Sequence, residues 1–183
     1  MKIVLATPLY PPDVAVSATY AKELFVRLAG AHPEHTFTIV TYTALPETIQ
    51  RVRIVSVNKE LPLPLRLLAC TATLLKETRG ADLLIIHNGA SMELPGGIAS
   101  LFSRIRVAFQ ITDTSAHEHA QRSKVFGMIE RFVSKRAQQI RIQLPTQRPE
   151  ILPLQASPET ELSAYEESWK RHVLDLDSII FHG

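Results

Sequence analysis

Asp113 and His117 stand four residues apart just past the apolar run Val107 to Thr112, with Thr114 and Ser115 between them. A carboxylate that orients an imidazole makes a general base for an acceptor hydroxyl, because histidine titrates near neutrality. The same pair also fits an aspartate capping a helix beside a solvated histidine. A second cluster, His87-Asn88-Gly89, closes another apolar run and serves either as a ligand contact or as a strand-to-loop turn. Near the start, Tyr10-Pro11-Pro12-Asp13 leads into Ser17. Ser17 is expected to cap the following helix, where unpaired first-turn amides could also meet an anion. Ala15 and the β-branched Val16 put side chains where glycines would let backbone approach a phosphate. The candidate catalytic residues are therefore Asp113 and His117, and the candidate binding residues are Tyr10, Asp13, Ser17, His87 and Asn88.

All of these follow short β-rich runs, and such runs alternate with longer helical patterns along the chain. That alternation predicts a parallel sheet with crossover helices. Strands are expected at Lys2 to Thr7, Thr36 to Tyr42, Val52 to Val57, Asp82 to His87, Val107 to Thr112 and Ile140 to Leu144. Ala21, Leu24, Phe25 and Leu28 make one buried stripe of a first helix from about Ala18 to Ala31, which Gly30 and His32-Pro33 bring to an end. Leu61 to Arg79 reads as a helix that tolerates Pro62 and Pro64 at its start. Further helices are expected at Met92 to Ser103 and Ser123 to Gln138. Gly96-Gly97 lacks any phosphate-loop spacing and reads as close helix packing. Four prolines between Pro145 and Pro158 predict an extended connector, followed by a helix from about Glu159 to Leu174. The tail Ser178 to Phe181 is read as an added edge strand. Domain 1–144 is thus an α/β unit, and 145–183 a connector and helix docking on it.

The chain has 183 residues, 45% of them hydrophobic, enough for a continuous core without staples. The lone Cys70 and the absence of a recognisable Cys/His zinc spacing argue for a reducing compartment, and cytoplasm is the expected location. No run approaches the length of a membrane span. With 20 basic and 18 acidic residues the net charge is +2, which gives no case for nucleic acid. Arg122, Lys124, Arg131, Lys135 and Arg136 line a helix whose other side is apolar. That face is either solvated or, at most, a peripheral contact for anionic lipid. No metal or cofactor is expected.

The opening strand, Tyr10-Pro11-Pro12-Asp13 and the helix containing Ala21-Lys22-Glu23-Leu24 resemble the amino-terminal domain of family-4-like glycosyltransferases of the GT-B fold. Asp82 to Gly89 is similar to that family's fourth strand, and Gln110 to Asp113 followed by His117 to its acceptor-side segment. The family's glycine pair is replaced here by Ala15-Val16. The resemblance covers roughly Met1 to Ala137. It implies a single doubly wound, Rossmann-like parallel sheet with flanking helices, which holds the acceptor in that fold. Glu159 and Glu167 have the spacing of the family's donor-side glutamates but lack its Gly-rich lead-in, so the donor-binding half is not represented. Two functions follow as expectations. One is a domain that binds a sugar or lipid-linked sugar acceptor and needs a donor-domain partner chain, or a second copy, for transfer. The other is a non-catalytic binding or scaffolding domain that kept the fold.

Overall fold

A computed structural model describes residues 1–103, 105–141 and 158–182. The chain divides into two compact units, Met1–Ile142 and Gln143–Gly183. The first unit runs β1 (Lys2–Thr7), α1 (Val16–Ala31), β2 (Thr36–Thr41), β3 (Val52–Ser56), α2 (Leu63–Glu77), β4 (Leu83–His87), α3 (Ala90–Ser103), β5 (Arg106–Ile111), α4 (Thr114–Arg122), α5 (Lys124–Ser134) and β6 (Gln138–Arg141). Its six strands are all parallel in the order β3-β2-β1-β4-β5-β6. The sheet therefore grows outward in both directions from the β1–β4 pair, the doubly wound arrangement whose ligand crevice lies beyond the carboxyl ends of those two strands.

The central strands read as continuous apolar runs because both sheet faces are covered. Val4, Ala6, Val40, Leu84, Ile86, Val107, Phe109 and Ile111 face one side and pack with Cys70 and Leu74 of α2, Met92 and Ala99 of α3 and Val133 of α5. The alternate residues face α1, where Phe25 meets Phe37 edge to face at 5.8 Å. Glycines set how closely α3 can approach. A Cβ on Gly96 would lie 2.8 Å from Ile86 Cδ1, and one on Gly97 2.5 Å from Phe132 Cε1. The pair is a packing device, as the missing phosphate-loop spacing indicated. Pro95 sits inside α3 and has no N–H to give the carbonyl of Ser91 four residues back. The Tyr42 hydroxyl donates to that carbonyl instead, at 2.7 Å.

Two expectations about local structure are corrected. The first helix begins before Ser17. Ala15, in extended backbone, is the N-cap residue, and its carbonyl accepts the N–H groups of Ala18 and Thr19. Ser17 is consequently a buried first-turn residue and not the cap. Gly30 lies inside the same helix, which ends at Ala31. The second correction concerns the second unit, where α6 (Pro158–His182) continues through residues 178–181, so that the expected edge strand is helical. No Gly or Pro interrupts the sequence from Glu159 to His182. Its buried Trp169, Leu176 and Ile180 keep a helical spacing, and the Ser178 hydroxyl donates back to the Asp175 carbonyl at 2.8 Å. The expected β6 segment beyond Arg141 and the proline-rich connector through 157 lie outside the described residues. Among the described residues no helix is long and apolar enough to cross a membrane.

Candidate functional site

At the carboxyl edge the loops after β1 and β4 touch. Gly89 has a φ of +135°, a conformation that side chains resist, and a Cβ there would lie 3.2 Å from Pro8 Cγ. Around this contact stand the residues singled out from the sequence, and their side chains fall into three groups.

The β1 loop is tied to the end of β2. Tyr10 N–H donates to Thr43 Oγ1 at 3.0 Å, and the Thr43 hydroxyl lies within hydrogen-bond distance of both the Tyr10 carbonyl (3.0 Å) and the Asp13 carboxylate (2.6 Å). Lys59 Nζ approaches Asp13 at 3.8 Å. The Tyr10 hydroxyl is buried without a hydrogen-bond partner, and burial raises its pKa, so it stays protonated.

His87 is fully buried beneath the same edge. Its Nδ1 lies 3.2 Å from Thr7 Oγ1 and its Nε2 2.9 Å from Gln110 Oε1, while Tyr20 of α1 packs on the ring at 5.8 Å. Every partner is neutral. Desolvation therefore wins over the hydrogen bond to Gln110 and pushes the imidazole pKa down to about 4, which keeps His87 uncharged. Next to it, Asn88 brackets the following strand: Oδ1 accepts from the N–H groups of Thr112 and Asp113, both at 2.9 Å, and Nδ2 donates to the Asp113 carbonyl at 2.6 Å. Asn88 and Asp113 thus meet through backbone.

The Asp113 side chain does not orient His117. Its Oδ1 accepts the Ala116 N–H at 3.0 Å, making Asp113 the N-cap of α4. The imidazole is held by a residue from the next helix. His117 Nδ1–H donates to Glu130 Oε2 at 2.9 Å, and Nε2 accepts from the Gln121 amide at 2.9 Å. That pair of contacts assigns the proton to Nδ1 and leaves the Nε2 lone pair pointing toward an exposed side chain. The His117 and Glu130 side chains are 16% and 13% exposed.

Glu93 completes this third group. Its Oε1 accepts the Gly89 N–H at 2.7 Å while its own N–H donates to the Gly89 carbonyl at 2.9 Å, a reciprocal lock on the β4–α3 loop akin to a capping box. Its Oε2 is buried without a hydrogen-bond partner. Burial, with the nearby Glu130 charge adding to it, pushes the Glu93 carboxyl up to about 7, against the opposing pull of the Gly89 N–H and His117. Two carboxyl groups and an imidazole from three successive helices therefore interact electrostatically. Neither Glu93 nor the role of Glu130 was anticipated. The available signals were single acids in unlike surroundings: Glu93 in an otherwise uncharged helix, and Glu130 among Lys124, Arg131, Lys135 and Arg136.

The sheet order defines the class as a Rossmann-like α/β unit, and the likeness to a solved structure makes the fold GT-B-like. Among solved structures the chain is similar to the 2.2 Å crystal structure of a Listeria monocytogenes protein provisionally assigned as a UDP-N-acetylglucosamine 2-epimerase, with a TM-score of 0.50 and 12% identity. The match covers 76% of this chain and 37% of that one, so this chain spans little more than a third of that protein. This likeness reaches the fold and does not single out family 4. No family model and no curated protein sequence matches the chain.

Proposed function

We propose that the carboxyl edge of the Met1–Ile142 unit binds the hydroxyl-bearing acceptor of a glycosyl transfer, a sugar or lipid-linked sugar, with the donor held by a separate domain or partner chain. The observation that carries this reading is the Glu130–His117 pair beside the β1–β4 crevice. A carboxylate fixes Nδ1–H, and Nε2 faces a replaceable surface partner, Gln121. An acceptor hydroxyl taking the place of the Gln121 amide would give its proton to Nε2, and Glu130 would stabilise the imidazolium that results. His117 is the catalytic residue of this scheme and Glu130 its positioning residue; Asp113 acts through the cap that starts α4. A lipid-linked acceptor is supported by the solvent face of α5, the helix that carries Glu130. Val125 and Met128 are exposed on α5 beside Arg122, Lys124 and Arg131.

Transfer also needs the departing nucleotide's charge to be stabilised and both substrates to be held together. The chain alone is therefore expected to release no nucleotide above buffer from any nucleotide sugar, with or without an acceptor. Saturation-transfer NMR against a panel of sugars and short-chain lipid-linked sugars tests the binding half. Binding that weakens in His117→Gln but persists in Asp113→Asn supports the reading, and binding indifferent to His117 overturns it.

The second reading, a binding or scaffolding domain without chemistry, has its own observation. His87, Asn88 and Asp113 all spend their side chains on internal bonds. Nucleotide release by the chain alone that vanished in His117→Ala would exclude this reading and the partner requirement together.

A further inference from the structure

At the opposite, amino edge of the sheet the chain turns from α1 into β2 through His32-Pro33-Glu34-His35. The His35 N–H donates to the His32 carbonyl at 3.1 Å, closing a four-residue turn with Pro33 at the position where proline's fixed φ suits it. A turn of this kind brings its first and last residues together, and here both are histidines. Their rings are nearly parallel, 6° apart in plane with centroids 5.4 Å apart.

The Glu34 carboxylate lies between them. Its Oε1 is 3.4 Å from His32 Nδ1 and 3.4 Å from His35 Nε2, and one ligand atom from each of the three residues lies within 4.8 Å of the others. Two imidazole nitrogens and one carboxylate oxygen are a donor set for zinc-like transition ions. In a tetrahedral site with bonds of roughly 2.0–2.1 Å, neighbouring ligand atoms stand roughly 3.3–3.4 Å apart. Two of the three ligand–ligand edges already have that length without an ion. His35 Nδ1 lies 3.2 Å from the Met1 amino nitrogen, a contact that turns Nε2 toward Glu34. Both histidine side chains are mostly covered, at 25% and 17% exposure, so the rings are held while Glu34 reaches solvent.

We propose that the His32–His35 turn binds a divalent zinc-type ion through His32 Nδ1, His35 Nε2 and the Glu34 carboxylate, with a fourth position open to water. The ion clamps the α1–β2 turn. It lies at the other edge of the sheet from Glu93, His117 and Glu130 and takes no part in their chemistry.

Calorimetric titration of the untagged chain with zinc chloride tests this, with magnesium chloride as the hard-cation control. The expected result is one zinc per chain, no magnesium binding at the same concentrations, and a thermal midpoint that rises with zinc. His32→Ala and His35→Ala should each weaken zinc by about tenfold or more. His119→Ala, which alters an exposed histidine on α4, should bind like the parent. X-ray absorption of the zinc complex should show nitrogen and oxygen ligands and no sulfur. Absence of stoichiometric zinc binding would overturn the proposal. So would unchanged affinity in the His32→Ala and His35→Ala variants, equal binding of magnesium, or a sulfur ligand.

Discussion

His87 ends β4 and His117 follows β5 at the same edge of one sheet, yet their surroundings give them opposite characters. His87 is fully buried among a threonine hydroxyl, a glutamine amide and a tyrosine ring, and desolvation holds it neutral. His117 sits on a short helix whose neighbour contributes a carboxylate to Nδ1, leaving Nε2 beside an exposed glutamine. A histidine at a strand end is thus not by itself a reactive group. What decides is whether its partners are neutral and sealed, or charged on one side and replaceable on the other.

Truncation should separate the two most strongly. His87→Ala opens a cavity in the sheet and leaves the Gln110 carbonyl oxygen buried without its partner, so it should cost about 4 kcal/mol in urea-induced unfolding. His117→Ala removes a partly exposed group and should cost less than about half of that. Equal losses would dissolve the distinction, because they would mean that both rings are structural.

The pH dependence of stability offers a finer cut, since His87 and its neighbour Glu93 are perturbed in opposite senses. His87 is lowered to about 4 in the fold from an ordinary value near 6.5. Between those values the unfolded chain holds a proton that the folded chain does not, so this group makes stability rise with pH, reaching its full contribution above about 6.5. Glu93 is raised to about 7 from near 4.5, so between those values the folded chain holds the extra proton and stability falls as pH rises. Each limb is worth roughly 3 kcal/mol before relaxation, and together they nearly cancel from about pH 4.5 to 6.5. Replacing Glu93 with Gln should uncover the His87 limb as a clear rise across that window, and His87→Gln should uncover the Glu93 fall. Identical pH profiles for the two variants would contradict both assignments.

The contact between the β1 and β4 loops, at the same carboxyl edge, should be intermediate. Gly89→Ala forces a side chain into a positive-φ position against Pro8 and should cost about 1–3 kcal/mol in thermal unfolding. A neutral Gly89→Ala would show that the loops can separate freely, and the crevice would then not be a fixed feature of the fold.

Much of this frame was legible in the residues. Apolar runs mark the four inner strands β1, β2, β4 and β5 to within a few residues, because parallel strands covered on both faces need continuous apolar side chains, whereas the edge strands β3 and β6 carry polar residues. The β1–β4 crevice follows from the observed strand order, which the residues alone did not show. Two kinds of feature were not legible. Ser17 looked like a cap because capping residues are recognised by type, whereas the extended backbone that starts α1 belongs to Ala15 and depends on the Pro11-Pro12-Asp13 loop before it. The partner of His117 was hidden for a different reason. Asp113 is four residues away and Glu130 thirteen, and only the turn at Ser123, which ends α4 and caps α5, folds the more distant acid back onto the ring. Local spacing favours the nearer carboxylate, while tertiary packing selected the farther one.

Asp113 supplies the smallest effect and the sharpest check on that last point. If its carboxylate serves only as the N-cap of α4, Asp113→Ala should cost about 1 kcal/mol, and Asp113→Asn should be nearly neutral because asparagine caps equally well. A base-orienting carboxylate would behave differently, since the amide of Asn carries no charge to stabilise an imidazolium. The ring nitrogen chemical shifts of His117 at fixed pH, which report the hydrogen bond at Nδ1, distinguish the two by NMR. They should be unmoved by Asp113→Asn and altered by Glu130→Gln. A large change in the His117 ring shifts on Asp113→Asn would restore the aspartate to the site and assign Glu130 to a supporting place.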